Sequence, residues 1–263
     1  SELTKEQTIE LFNYAKDKII IFSAPFDIES ADELEELGVD CYKIASFDLV
    51  NLPLIRKVAS TNKPMIISTG MSYLSEVQDA LLEVARCGNP NVFLMQCTSS
   101  YPCPPETMNI KAIDTMKQAF NGLPVGISDH IIGDMVCLGA VARGANIVEK
   151  HFTLDKDMEG PDHILSMLPQ EFSEMKERIK IVEASLGDGI KQPSSIEIAS
   201  IIRFRKTMYA KRKIKKGSII NYSDIIYTAP AYGIYAKYED IVVGKVANQD
   251  IDKDTPITWS LIS

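Results

Sequence analysis

Two of the three histidines in these 263 residues occupy positions where chemistry is expected. His130 ends Ser128-Asp129-His130 and His151 ends Ile147–His151, 21 residues on; each closes an apolar run that predicts a β-strand. On neighbouring strands both imidazoles enter one pocket. Two neutral imidazoles with open positions suit a borderline divalent metal such as Mn2+, Zn2+, Co2+ or Fe2+. The plain alternative is two unrelated histidines, one hydrogen-bonded and one half-exposed. His163, after Gly160-Pro161-Asp162, is read as an incidental surface residue of a loop. Asp162 in that loop can join a metal shell or orient a metal-bound water.

Lys43 interrupts the apolar run Tyr42-Lys43-Ile44-Ala45-Ser46. Burying it unpaired is costly, so it either snorkels outward or enters a polar centre that holds an anion. With Ser46, Ser68 and Ser128, each at or near the end of a predicted strand, it supplies a cation and hydroxyl donors suited to phosphate or carboxylate. Serines also end strands simply because they cap the following helix.

These side chains need elements to position them. Six strand candidates are Ile19–Ser23, Cys41–Ser46, Met65–Thr69, Val92–Cys97, Val125–Ser128 and Ile147–His151. Between them lie helix candidates Ser30–Glu36, Leu52–Ser60, Ser75–Arg86, Ile110–Phe120 and Met135–Arg143, and Gln170–Leu186 closes the series. A repeating strand–helix unit means right-handed crossovers and a parallel sheet. Six units permit an open doubly wound sheet or a (β/α)8 barrel lacking two units. An open sheet gathers its site at one switch point, whereas a barrel brings every strand end onto one ring. Polar residues end nearly every strand, including Ser23, Ser46, Ser68, Ser99, Ser128 and His151, which favours the TIM-type barrel.

Lys and Arg total 28 against 36 Asp and Glu, a net charge of −8. Residues 187–263 reverse the sign, with 12 basic against 8 acidic side chains. A stretch rich in Gly, Ser and Pro, Glu183–Glu197, marks the change. The chain therefore reads as a barrel domain over 1–186, a linker over 187–203 and a small, mainly β domain over 204–263. Arg203–Lys216 carries eight basic residues in fourteen, yet no recognition helix or RNA-binding signature accompanies it, so no nucleic-acid partner is expected. Walker A, GxGxxG and GxSxG motifs are absent, which leaves nucleotide-dependent and serine-hydrolase chemistry without support. Apolar runs fall short of the roughly 20 residues a membrane span needs, and SELTKEQTIELF is no signal peptide. Five cysteines without a CxxC pair suit the reduced thiols of a cytoplasmic protein with no membrane partner.

The strings KIASFDLVNLPLI, KPMIISTGM, QCTSSYPCPPETMNI, GISDHIIGDMVCLGAVARGANIVEKHFTLDKDMEGPDH and, towards the end, IKKGSI, YGI and GKVANQDI resemble the sialic acid synthase family. The likeness covers essentially the whole chain. It implies a TIM barrel, with six of eight units present, followed by an SAF (antifreeze-like) domain. It also implies a homodimer in which each SAF domain caps its partner's barrel. The implied reaction condenses phosphoenolpyruvate with an N-acyl amino sugar, N-acetylmannosamine or a 2,4-diacetamido-trideoxyhexose, to give a nonulosonate and phosphate. In that light His130 and His151 look like the ligands of a catalytic divalent metal, Mn2+ before Mg2+ or Co2+. Asp162 looks like the acid beside a metal-bound water. Lys43, Ser46, Ser68 and Ser128 look like the binders of the phosphate and carboxylate, and Tyr101 like a pocket residue near metal and sugar.

Three departures accompany the likeness. The family's chains begin with two further βα units, bearing an acidic residue and a KFQ-like strand, that nothing here matches. Ala229-Pro230-Ala231 stands where the family commonly has Arg-Pro-Gly, whose Arg reaches the sugar's N-acyl group. Asp48 stands for the usual Glu and Ser99 for a frequent Asn, both expected to shift sugar specificity. The rival reading is a catalytically inactive homologue that binds a sugar or a metal.

Overall fold

A computed structural model describes residues 3–263, which divide between Asp188 and Gly189 into two compact units. In the first, α1 (Lys5–Ala15) and α2 (Ile28–Glu36) precede β1 (Tyr42–Ile44). Then α3 (Leu52–Ala59), β2 (Met65–Ser68), α4 (Leu74–Arg86), β3 (Val92–Cys97), α5 (Ala112–Ala119), β4 (Val125–Asp129), α6 (Met135–Ala142), β5 (Val148–Lys150) and α7 (Pro169–Leu186) alternate. Helices begin where side chains satisfy the first orphan N–H groups. Thr4 with Gln7 forms a capping box before α1, and Asp27 with Ser30 does so before α2. Glu171 reaches back to the Leu168 N–H at 2.9 Å, and Pro169 opens α7, where its missing N–H costs nothing.

The five strands are parallel and ordered β1-β2-β3-β4-β5. The order never doubles back, so the sheet has no switch point; it is a run of consecutive barrel strands rather than a doubly wound sheet. Of the six expected strands, Ile19–Ser23 does not form. One backbone bond, from the Lys43 N–H to the Ser23 carbonyl, ties it to the sheet, and Ile19 and Ile20 stay exposed. A single hydrogen bond on one side gives no ladder to hold strand geometry.

Register decides which side chains share a face. Tyr42, Ile44, Met65, Ile67, Leu94, Val125 and Ile127 fall on one face and pack with Leu54, Ile55, Val58, Val77, Ala80, Ile113 and Ala140 in the main core. Lys43, Ser68, Met95, Ser128 and Glu149 fall on the other. The helix-covered face is mostly apolar, and its charged exceptions are Asp129 and Lys150.

In the second unit, a 3-10 turn (Ser195–Glu197) and α8 (Ile198–Phe204) occupy the stretch read as a linker. Glu197 accepts from both the N–H and the hydroxyl of Ser194, a start signal that composition alone passes over. Antiparallel β6 (Thr207–Ala210) and β7 (Ile225–Thr228), several isolated bridges and α9 (Glu239–Val242) follow around Met208, Ile220, Ile225, Ile251 and Ile257. The basic run is divided here. Met208 and Ala210 are buried, Arg212 pairs with Asp224 at 2.6 Å, and Lys213 lies 3.4 Å from both Asp250 and Asp252. No helix among the described residues is long and apolar enough to cross a membrane.

Candidate active site

The polar face of the sheet carries a connected chain of donors and acceptors. Lys43 on β1 donates from Nζ to Ser68 Oγ on β2 at 2.7 Å and lies 3.5 Å from Glu149 Oε2 on β5. Ser128 on β4 donates to Glu149 Oε1 at 2.7 Å. The lysine therefore does not snorkel: its side chain is 14% exposed, and the pairing with Glu149 offsets the cost of burying it. Glu149 went unnamed among the expected site residues. The signal was present, because period-two alternation puts Glu149 on the same face as His151.

Just beyond β4 and β5, His130 and His151 meet, their ring centroids 5.1 Å apart and nearly perpendicular. Tyr101 closes the group at 4.1 Å from the His130 ring and 5.6 Å from the His151 ring. His130 is buried, and its Nδ1 lies 2.9 Å from the Thr98 carbonyl. A carbonyl only accepts, so Nδ1 is the donor of this hydrogen bond and Nε2 is the ring nitrogen left for another partner. Burial, followed by the neighbouring His130, holds the His151 imidazole below its usual pKa, which favours its neutral form. Asp162 Oδ2 sits 3.7 Å from His151 Nδ1 and is half exposed. Burial, with the charges of Cys97, Asp162 and Glu149, raises the Tyr101 phenol, keeping it a neutral donor. His163 faces Thr153, with 2.7 Å between Nδ1 and Oγ1, rather than the histidine pair.

Two imidazoles at adjacent strand ends fit a divalent cation whose other positions are left to water and substrate oxygens. Among the described residues no third His, Cys, Asp or Glu joins the two histidines in a group able to hold a metal.

A third cluster surrounds Gly70. Its N–H donates to Ser46 Oγ at 3.1 Å, and a Cβ on Gly70 would lie 2.5 Å from Ser99 Oγ and 2.8 Å from Ser46 Oγ. Both hydroxyls thus converge on a position that only glycine leaves open. Asp48 is buried in the turn after β1; Oδ1 accepts from Asn51 Nδ2 at 3.3 Å, while Oδ2 has no hydrogen-bond partner among the described residues. Ala229 lies half-buried in the second unit.

Residues 1–191 match the NeuB family and residues 205–263 match the SAF domain. The chain belongs to the NeuB family. It is 43% identical over 256 residues to the N,N'-diacetyllegionaminic acid synthase of Campylobacter jejuni, covering 96% of this chain and 76% of that one. It is 34% identical over 264 residues to the N-acetylneuraminate-9-phosphate synthase of Homo sapiens, covering 99% and 73%. The solved spore coat polysaccharide biosynthesis protein SpsE of Bacillus subtilis superposes on the whole of this chain, and on 78% of its own, with a TM-score of 0.69 at 31% identity. The NeuB-family match spans both histidines, Lys43, Glu149 and all three clusters.

Proposed function

We propose that this NeuB-family chain is a nonulosonic acid synthase that condenses phosphoenolpyruvate with an N-acyl amino sugar and releases phosphate. The observation that carries the reading is the one polar face on which Lys43, Ser68, Glu149 and Ser128 lead directly to the His130–His151 pair. The 43% identity to a diacetyllegionaminic acid synthase supports a 2,4-diacetamido-trideoxyhexose as acceptor ahead of N-acetylmannosamine.

Lys43 Nζ, with the hydroxyls of Ser68 and Ser128, holds the phosphate and carboxylate of phosphoenolpyruvate by charge-assisted bonds. Glu149 occupies two of these donors, so it shares or yields them when the anion arrives. Ser46 and Ser99 line the narrow space over Gly70. The unpaired Asp48 Oδ2 supplies an acceptor for a sugar hydroxyl or amide, since a buried carboxylate oxygen without a partner gains most from one. A divalent cation, Mn2+ first, held by His130 Nε2 and by His151, would polarise the carbonyl of the open-chain sugar. Carbon 3 of phosphoenolpyruvate bonds to that carbonyl carbon, water adds at carbon 2, and the carbon 2–oxygen bond to phosphate breaks. Asp162, half exposed beside His151, takes the proton of that water.

With Mn2+, phosphoenolpyruvate and each candidate sugar in turn, the protein is expected to release phosphate only when an acceptor sugar is present. No release with any of these sugars contradicts the reading.

A further inference from the structure

The fold spends two fully buried charges directly behind the histidine pair. Asp129 and Lys150 face each other in register across β4 and β5, and each precedes one of the two histidines. Alternation turns them to the face opposite the imidazoles. Lys150 Nζ lies 2.8 Å from Asp129 Oδ2, and neither side chain has any exposure. Lys150 also donates to the Ile131 carbonyl, while Asp129 Oδ1 accepts from the Ile131 N–H at 2.9 Å. Cys137 on α6 donates its thiol to Asp129 Oδ2 at 3.1 Å. Of the peptide units flanking Ile131, the residue after His130, the following one is therefore tied to Lys150 and the preceding one to Asp129, which itself pairs with Lys150. Cys103 donates its N–H to the His130 carbonyl at 3.0 Å, which closes the ring of restraints.

A buried ion pair of this kind is weak in net stability, because desolvation offsets most of its attraction and an apolar pair of similar volume often serves as well. Its placement calls for a different reason. We infer that Asp129 and Lys150 are positioning residues that fix the spacing and orientation of the two imidazoles. This rests on the metal reading above. The pair locks the main chain at the ends of β4 and β5, so that the two lone-pair nitrogens converge without help from a third protein ligand. A site with only two protein donors depends on their pre-set geometry more than a closed cage does.

The test measures Mn2+ binding by calorimetry and, separately, the urea unfolding midpoint. The proteins are wild type, Asp129→Asn, Lys150→Met, the apolar double variant Asp129→Leu/Lys150→Met, and His130→Ala as the non-binding control. Mn2+ affinity is expected to fall at least about tenfold in each single variant. The double variant is expected to regain the stability the singles lose while its affinity stays low, and the visible band of bound Co2+ is expected to shift. A double variant with wild-type Mn2+ affinity and an unchanged Co2+ band overturns the inference and leaves the pair merely structural. If the singles do not fold, the double variant decides alone. Absence of Mn2+ binding by the wild type instead contradicts the metal reading itself, and this inference falls with it.

Discussion

Lys43 shows how one side chain can be read from its cost. A lysine in an apolar strand has to find an anion, and here it finds Glu149 and the Ser68 hydroxyl. Replacing it with methionine removes the ammonium group that bonds Ser68 and pairs with Glu149. Glu149 is 40% exposed, so water takes over its solvation and the fold loses little. The expected outcome for Lys43→Met is a fall in kcat/KM for phosphoenolpyruvate of about 10- to 100-fold, with an unfolding midpoint within error of wild type. Unchanged kinetics with a lowered midpoint would assign Lys43 a structural role only. The histidine pair was legible from residue type and strand-end position. The Asp129–Lys150 tie was not, because charges flanking a site residue look like solvated neighbours until register shows them buried on the opposite face.

At the scale of elements, the turn after β2 is where backbone and site meet. Gly70 lies between Ser46, which follows β1, and Ser99, which follows β3, so three successive strand ends crowd one point. Gly70→Ala is expected to destabilise the protein by about 1–3 kcal/mol through overpacking and to lower turnover, because the Ser46 hydroxyl loses its place on the Gly70 N–H. Urea unfolding and steady-state kinetics check both; wild-type behaviour in each would show that the serines move aside freely. The six helix candidates lie within a few residues of α2 to α7, since amphipathic spacing is a local signal, whereas α1 is not among them. Ile19–Ser23 was misread as a strand because β propensity is spent only when a neighbour supplies a ladder. The α8 helix was missed because the composition of its flank resembles a linker.

For the whole molecule, the consecutive strand order agrees with the barrel that the polar strand ends favour over a doubly wound sheet. One face of the sheet packs against the helices; the other carries Lys43, Ser68, Ser128 and Glu149 and leads to the His130–His151 pair. The sign change in charge near residue 187 coincides with the division into two compact units. What this architecture is for comes down to whether a carbon–carbon bond is made. The direct measurement is mass spectrometry of the product formed from phosphoenolpyruvate and a 2,4-diacetamido-trideoxyhexose in the presence of Mn2+. The expected result is a nine-carbon 2-keto acid whose mass is that of sugar plus phosphoenolpyruvate plus water minus phosphate, absent with His130→Ala. Pyruvate and phosphate with the sugar recovered unchanged, or no turnover at all, would contradict it.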